Sequence, residues 1–585
     1  MASTESATGK RPRRRTRRDP GERLVLPAPR GWKRAGGGYA SHIAPPPTWR
    51  GTSNQVCGMW PFPLGAGIPL VGSPLGKHLL TGGTVCADPI SHFEAGILNA
   101  PTLTVLGREG LGKSSAVRRM LLGAAAFGQL PLIVGDTKPD YVRLIQLLEG
   151  QVMVVGRGRA YQNPLDMLIT IDAIRRLRAA PPPSPAVALR LLAGLELPTV
   201  VDANEAVELV CAKRQAMERE FLSDARGRRH TMVAGLCNIR RGEPLSDVED
   251  AVLAAALAEL DDKYVGEPTL NDLVAVIEDR PLRLQEAAYD EGSDQRYRET
   301  VRGLIRTIRS MLAPHGEMGD LFAHRTTTRI DIEGPACFDT SSIPEDQTKL
   351  IAAALMACWQ QGFAAVNTRV ALGLAGVMAM KHYNVVVDET WQVLLAARSG
   401  MVDRINALTR LNRQIGCSLI MAYHTIRDLQ SMADEHERTK ALGFIQRSGM
   451  LLIGGLPPEE FDRLRQVREF SDKELRYLLA WQDAAPLNHA GQGEPPGRGK
   501  FLLKLGSRPG IPLQIALTHA ERDARIHETS TALDRQPRGW RLGRRIRDGS
   551  GLSAPDQVTA VPASSVAGIA EALQQHPVAR VCLCE

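Results

Sequence analysis

Residues 102–114, TLTVLGREGLGKS, run from an apolar stretch straight into a glycine-rich loop that ends in Lys-Ser. Gly107, Gly112, Lys113 and Ser114 occupy the fixed positions of G-x-x-x-x-G-K-[ST]. Glycines at this spacing let consecutive backbone N–H groups turn inward around phosphate oxygens. The loop positions offered for this are Gly107, Gly110, Leu111, Gly112, Lys113, Ser114 and Ser115. A helix that follows adds its positive N-terminal end, Lys113 reaches the β- and γ-phosphates, and the Ser114 hydroxyl coordinates Mg²⁺. The bland alternative is an ordinary glycine turn. A second stretch, YNVVVDE at 383–389, reads as a buried strand ending in two carboxylates. Asp388 would hold the metal there, directly or through water, and Glu389 would polarise the attacking water. Adjacent acids after an apolar run are often solvated loop charges. Paired with the loop at 107–114, they point to hydrolysis of a nucleoside triphosphate, with ATP and Mg²⁺ as the bound species.

These residues need a scaffold that brings two distant strand ends together. From Thr102 the pattern alternates between strand and helix: PLIVGD (131–136) and QVMVVG (151–156) read as buried strands, with a helix over 141–148 between them. This is the rhythm of a mostly parallel sheet covered by helices on both faces. The strands stop after residue 170. Residues 204–222, 246–261, 269–278 and 298–313 show helical apolar spacing, and Thr269 with Asp272 has the look of an N-terminal cap. Strands return at 326–334 and 336–343, then a helix over 346–362, then strands at 383–389, 417–425 and 449–456. The segments 501–506 and 512–518 would close the sheet as an antiparallel hairpin.

The expected organisation is therefore an α/β fold in several parts. A basic arm covers 1–25 and a loop-rich lead-in 26–100. The first part of the ATPase domain covers 101–170, an all-α insertion 171–320, and its second part 321–525, with a polar tail at 526–585. A chain of 585 residues with 43% hydrophobic and 23% charged residues has room for such a core. The net charge of +8 is concentrated at Lys10–Arg18, a block too charged to pack. That arm could meet DNA, RNA or an acidic membrane, or serve only solubility. The sequence has no uninterrupted apolar stretch of about 18 residues. Its nine cysteines lack the paired spacing of a zinc site. A reducing, cytoplasmic location is expected, or a peripheral one at the inner face of the plasma membrane.

The order of these elements resembles the FtsK–HerA superfamily of ring-forming P-loop ATPases, and within it the cytoplasmic ATPases of conjugation and type IV secretion. The likeness covers roughly residues 55–520 and is carried by VGDTKPDYVRL (134–144), GRAYQNPLDM (158–167), HGEMGDLFAH (315–324) and ALMACWQQG (354–362) besides the two phosphate motifs. It implies a RecA-like domain, and a ring, expected as a homo-hexamer. It also implies an arginine supplied in trans to a neighbour's γ-phosphate, which would be Arg413, with Arg410 as the competing choice. His424 stands where such proteins often carry a glutamine that senses the γ-phosphate. A histidine can still donate that hydrogen bond, or it can be structural. Glu109 is out of character in a phosphate loop and is expected to point outward.

The function this implies is an ATP-hydrolysing motor that energises a conjugation or type IV secretion apparatus, working with membrane components. A DNA translocase or coupling protein is the second reading, and a nucleotide-binding assembly scaffold with little turnover is the third.

Overall fold

The apolar runs assemble into one sheet in a computed structural model that describes residues 69–193, 202–264, 266–388, 416–427, 435–483 and 495–528. Eleven strands belong to it among the described residues. They are β1 (Pro74–His78), β2 (Thr84–Cys86), β3 (Thr102–Leu106), β4 (Leu130–Asp136), β5 (Gln151–Val154), β6 (Ala336–Asp339), β7 (Tyr383–Val387), β8 (Cys417–Tyr423), β9 (Met450–Ile453), β10 (Lys500–Leu505) and β11 (Ile511–Ile515). Their spatial order is β2-β1-β11-β10-β9-β3-β8-β7-β4-β6-β5. From β9 to β5 every neighbouring pair is parallel. From β9 to β2 every pair is antiparallel.

The inner parallel strands are buried on both faces, which explains the unbroken Val385-Val386-Val387 run. Val385 and Val387 pack with Leu132 and Val134 on one face. Val386 packs with Ile133, Val117 and Leu121 on the other. The first face is covered by helix α10 (Thr348–Leu374) and the second by α1 (Lys113–Ala126). Helix α2 (Val142–Leu147) lies between β4 and β5 in the chain. By length and composition α10 is the one described helix that could cross a membrane, yet 83% of its apolar window is buried within the fold. It is a core helix, and its hydropathy answers to the sheet beneath it.

Between β5 and β6 the described residues form only helices and connecting loops. These are α3 (Leu168–Ala179), α4 (Pro185–Ala193), α5 (Ala203–Arg241), α6 (Asp247–Lys263), α7 (Leu270–Glu278), α8 (Leu282–Ala288) and α9 (Asp294–Leu312). Thr269 and Asp272 do cap α7, with the Thr269 N–H donating to Asp272 Oδ2 at 2.7 Å. Helix α5 runs 39 residues, well beyond the expected end at Leu222. The basic stretch Arg226–Arg229 masks the apolar spacing there, and a side chain at Gly227 would meet only open space, so the helix passes through without cost to packing.

Three expectations need correction. QVMVVG forms β5 but not a buried strand, because it is the edge of the sheet and Val154 is exposed. Residues 326–334 form no strand. Their backbone is bonded outside any ladder: Gln151 Nε2 donates to the Arg329 carbonyl at 2.7 Å, Gln151 Oε1 accepts from the Asp331 N–H, and Thr327 N–H donates to the Tyr161 carbonyl. A stretch whose groups are taken by the Gln151 side chain and an isolated backbone bond has no ladder left to build. The hairpin of β10 and β11 is present but does not close the sheet, because β1 pairs with β11 and β2 with β1. PLGKH, with its Pro and Gly, and the three-residue TVC carry too little alternation to be read from sequence. The basic arm and the tail beyond 528 lie outside the described residues.

Candidate functional site

The phosphate-loop sequence leaves β3 at Leu106 and enters α1 at Lys113. Gly107 has φ 154°, and a Cβ there would lie 3.2 Å from the Gly454 Cα, so backbone passes against backbone. Three bonds stitch the loop to its neighbours. Arg108 N–H donates to the Gly455 carbonyl at 3.1 Å, Gly454 N–H to Leu106 at 2.7 Å, and Gly499 N–H to Leu111 at 2.9 Å. Gly112, at φ 96°, is the cap of α1 and makes no side-chain cap bond. The first turn of α1 begins at Lys113, and the N-terminal end of a helix carries partial positive charge that suits an anion. In that turn the Ser115 hydroxyl accepts from buried Arg118 at 3.3 Å.

Parallel order decides what meets this loop. β8 lies beside β3, β7 beside β8 and β4 beside β7, so all four end at the same edge. Leu106 pairs with Tyr423, which sets His424 beside Gly107. Asp388 follows β7, two strands from β3, or about 10 Å at the usual strand spacing. Between them lies β8, whose end His424 follows.

Lys113 Nζ donates to the Gly107 carbonyl at 2.7 Å and to the Arg108 carbonyl at 3.3 Å, and lies 3.0 Å from His424 Nδ1. An ammonium only donates, so Nδ1 accepts and the ring hydrogen of His424 sits on Nε2. Nε2 faces Glu109 Oε1 at 3.4 Å, and the same oxygen lies 3.3 Å from Lys138 Nζ. Glu109 is indeed exposed, at 70%, but it turns across the crevice to these two groups and not away from it.

Asp136, at the end of β4, is buried and accepts from the backbone N–H groups of Asp140 at 3.0 Å and Tyr141 at 2.7 Å. Burial pushes its carboxyl up to about 7, and the charges of Asp140 and Asp388 push the same way. It holds the start of α2. Glu389, Arg413 and Arg410 lie outside the described residues.

The residues present fit a magnesium–nucleotide complex. Two hard oxygen donors, the Ser114 hydroxyl and the Asp388 carboxylate, suit Mg²⁺, and the Gly107–Gly112 hollow is one that Cβ atoms would crowd or strain. Sequence reasoning missed the Gly454-Gly455 and Gly499 walls of the loop. The Gly-Gly pair at the end of an apolar run, LLIGG at 451–455, was the available signal.

No protein-family model matches the sequence, and no curated protein matches it. Among solved structures, VirB4 of Thermoanaerobacter pseudethanolicus superposes over 78% of this chain and 100% of its own, at 16% identity and a TM-score of 0.52. The fold resembles that of VirB4. It is a RecA-like, mostly parallel α/β fold with a helical insertion. The bacterial conjugative coupling protein TrwB superposes more loosely, at 12% identity over 77% of this chain and 90% of its own, with a TM-score of 0.40. A TrwB complex with ADP and Mg²⁺ gives 13% identity, 72% and 85% coverage, and a TM-score of 0.37.

Proposed function

We propose that this chain is a Mg²⁺-dependent ATPase that works as a motor of a conjugation or type IV secretion apparatus. The observation that supports it most is the meeting at one sheet edge of the loop from Gly107 to Ser114, His424 after β8 and Asp388 after β7. The VirB4-like fold is in keeping with this reading.

In this reading the first-turn N–H groups of α1 cradle the β-phosphate, and Lys113 leaves the Gly107 and Arg108 carbonyls to meet the β- and γ-phosphates. Ser114 and Asp388 hold the magnesium ion, which supplies charge neutralisation at the phosphate oxygens. Glu389 takes the proton of the attacking water as its oxygen bonds to the γ-phosphorus and the bond to the β–γ bridging oxygen breaks, giving ADP and phosphate. His424 donates to the departing phosphate. Arg413 of a neighbouring copy completes the site, which ties turnover to ring assembly.

The test is phosphate release by the full chain, with Lys113→Ala and Asp388→Asn as controls and with DNA added over a salt series. Turnover lost in both variants and indifferent to DNA supports the secretion motor. Stimulation by DNA that fades with salt favours translocation of DNA. Equal inactivity of wild type and Lys113→Ala in assembled rings sinks the enzyme and leaves the scaffold.

A further inference from the structure

Lys138 belongs to the loop after β4, three strands from β3, or about 14 Å at normal strand spacing. Its Nζ nevertheless reaches within 3.3 Å of Glu109 in the phosphate loop. The two side chains therefore meet above the ends of β8 and β7, over the crevice that holds His424 and Asp388. Glu109 Oε1 alone collects both donors, Lys138 Nζ and His424 Nε2. An oxygen with an ammonium and an imidazole N–H converging on it from two other strand ends is placed as a terminal phosphate oxygen would be.

A carboxylate at that point repels a triphosphate, so it must yield when one binds. Its exposure of 70%, against 48% for Lys138, makes the contact weak and easily exchanged. Lys113 differs: it is already held inside the loop by the Gly107 and Arg108 carbonyls, within reach of a β-phosphate. Only the third phosphate of a nucleotide extends outward to where Lys138 waits.

We infer that Glu109 is a resident anion standing in for the terminal phosphate, and that Lys138, released from it, selects triphosphate over diphosphate. This rests on the nucleotide reading of the site. The competing description is a plain surface ion pair, in which neither residue affects the choice of nucleotide.

The experiment is equilibrium titration of the full chain with fluorescent ADP and a fluorescent non-hydrolysable ATP analogue, both with Mg²⁺. Lys138→Met should weaken the triphosphate analogue about tenfold and leave ADP within about twofold, the size of one charge-assisted contact. Lys138→Arg should keep most of the preference. Glu109→Gln should tighten the triphosphate about threefold or more, and that gain should shrink in the double variant, since the two act through one contact. The inference is overturned if Lys138→Met shifts both nucleotides equally or neither, or if the Glu109→Gln gain persists undiminished beside Lys138→Met. If wild type binds neither nucleotide, the reading of the site itself falls, and that is visible before any variant is compared.

Discussion

The helical insertion and the C-terminal edge of the sheet use the same residue types to opposite ends. In the insertion, Arg241 gives Glu249 two bonds of 2.7 and 2.8 Å and a third to Thr307 Oγ1 at 2.6 Å, while Glu249 also accepts from Ser246. Arg229, almost wholly buried, pairs with Asp261, and Arg280 with Asp290 at 2.6 Å. The Arg241 and Arg229 pairs tie α5 to α6, and the Arg280 pair joins the two ends of α8. At the sheet edge, Lys138 and His424 converge on Glu109 at 3.3 and 3.4 Å, and His424 also meets Lys113 at 3.0 Å. Charges paired between helices hold structure, and charges gathered at strand ends above a phosphate loop are placed for a ligand.

The sharpest way to break this contrast is Lys113→Ala. Turnover should fall about 10²- to 10³-fold while the melting temperature hardly moves, and phosphate release with thermal melts measures both. Retained turnover would remove the edge from the chemistry.

Arg241→Ala should do the reverse. Leaving Glu249 half-buried without its partner should cost about 3 kcal/mol in a denaturant titration, with turnover per folded molecule unchanged. The pH profile sharpens it. Hydrogen bonds from Arg241 hold the Glu249 carboxyl below its ordinary value of 4.5. A depressed value in the folded state gives stability that is full above the ordinary value and is lost as pH falls through the folded one. Wild type should therefore lose stability below about pH 4.5 more steeply than Arg241→Ala. Parallel profiles for the two proteins would count against the pairing.

Gly112→Ala tests the backbone of the loop itself. At φ 96° a side chain is strained, so a stability loss of about 1–2 kcal/mol is expected together with weaker nucleotide binding. Normal affinity in this variant would mean that the loop's shape is not what holds phosphate. The smallest effect belongs to Arg309→Ala, which removes an exposed pair with Glu278 in the insertion. It should change stability by no more than about 0.5 kcal/mol and leave turnover alone. A larger change would show that exposed pairs of the insertion also carry structure.

Much of this was legible in residues. The phosphate loop announced itself because glycines at fixed spacing, followed by Lys-Ser, answer one chemical demand. The buried strands were legible because a parallel strand needs both faces apolar, as in Val385–Val387. The stretch 326–334 misled because polar and apolar residues alternate there as in a strand, while its backbone partners come from Gln151 and Tyr161, far away in sequence. Glu109 misled in another way. Electrostatics correctly exposes it, but nothing local reveals that Lys138, 29 residues on, reaches back to it.

Local demands on backbone and burial thus set the loop, the strands, the caps and the helical character of the insertion, because each depends on a few neighbouring residues. The order of strands was decided only when the chain folded. Placing β8 between the phosphate loop and the acidic strand brought His424 to Lys113 across 311 residues of sequence. Pairing energy and face burial belong to the assembled sheet, and no window of residues contains them.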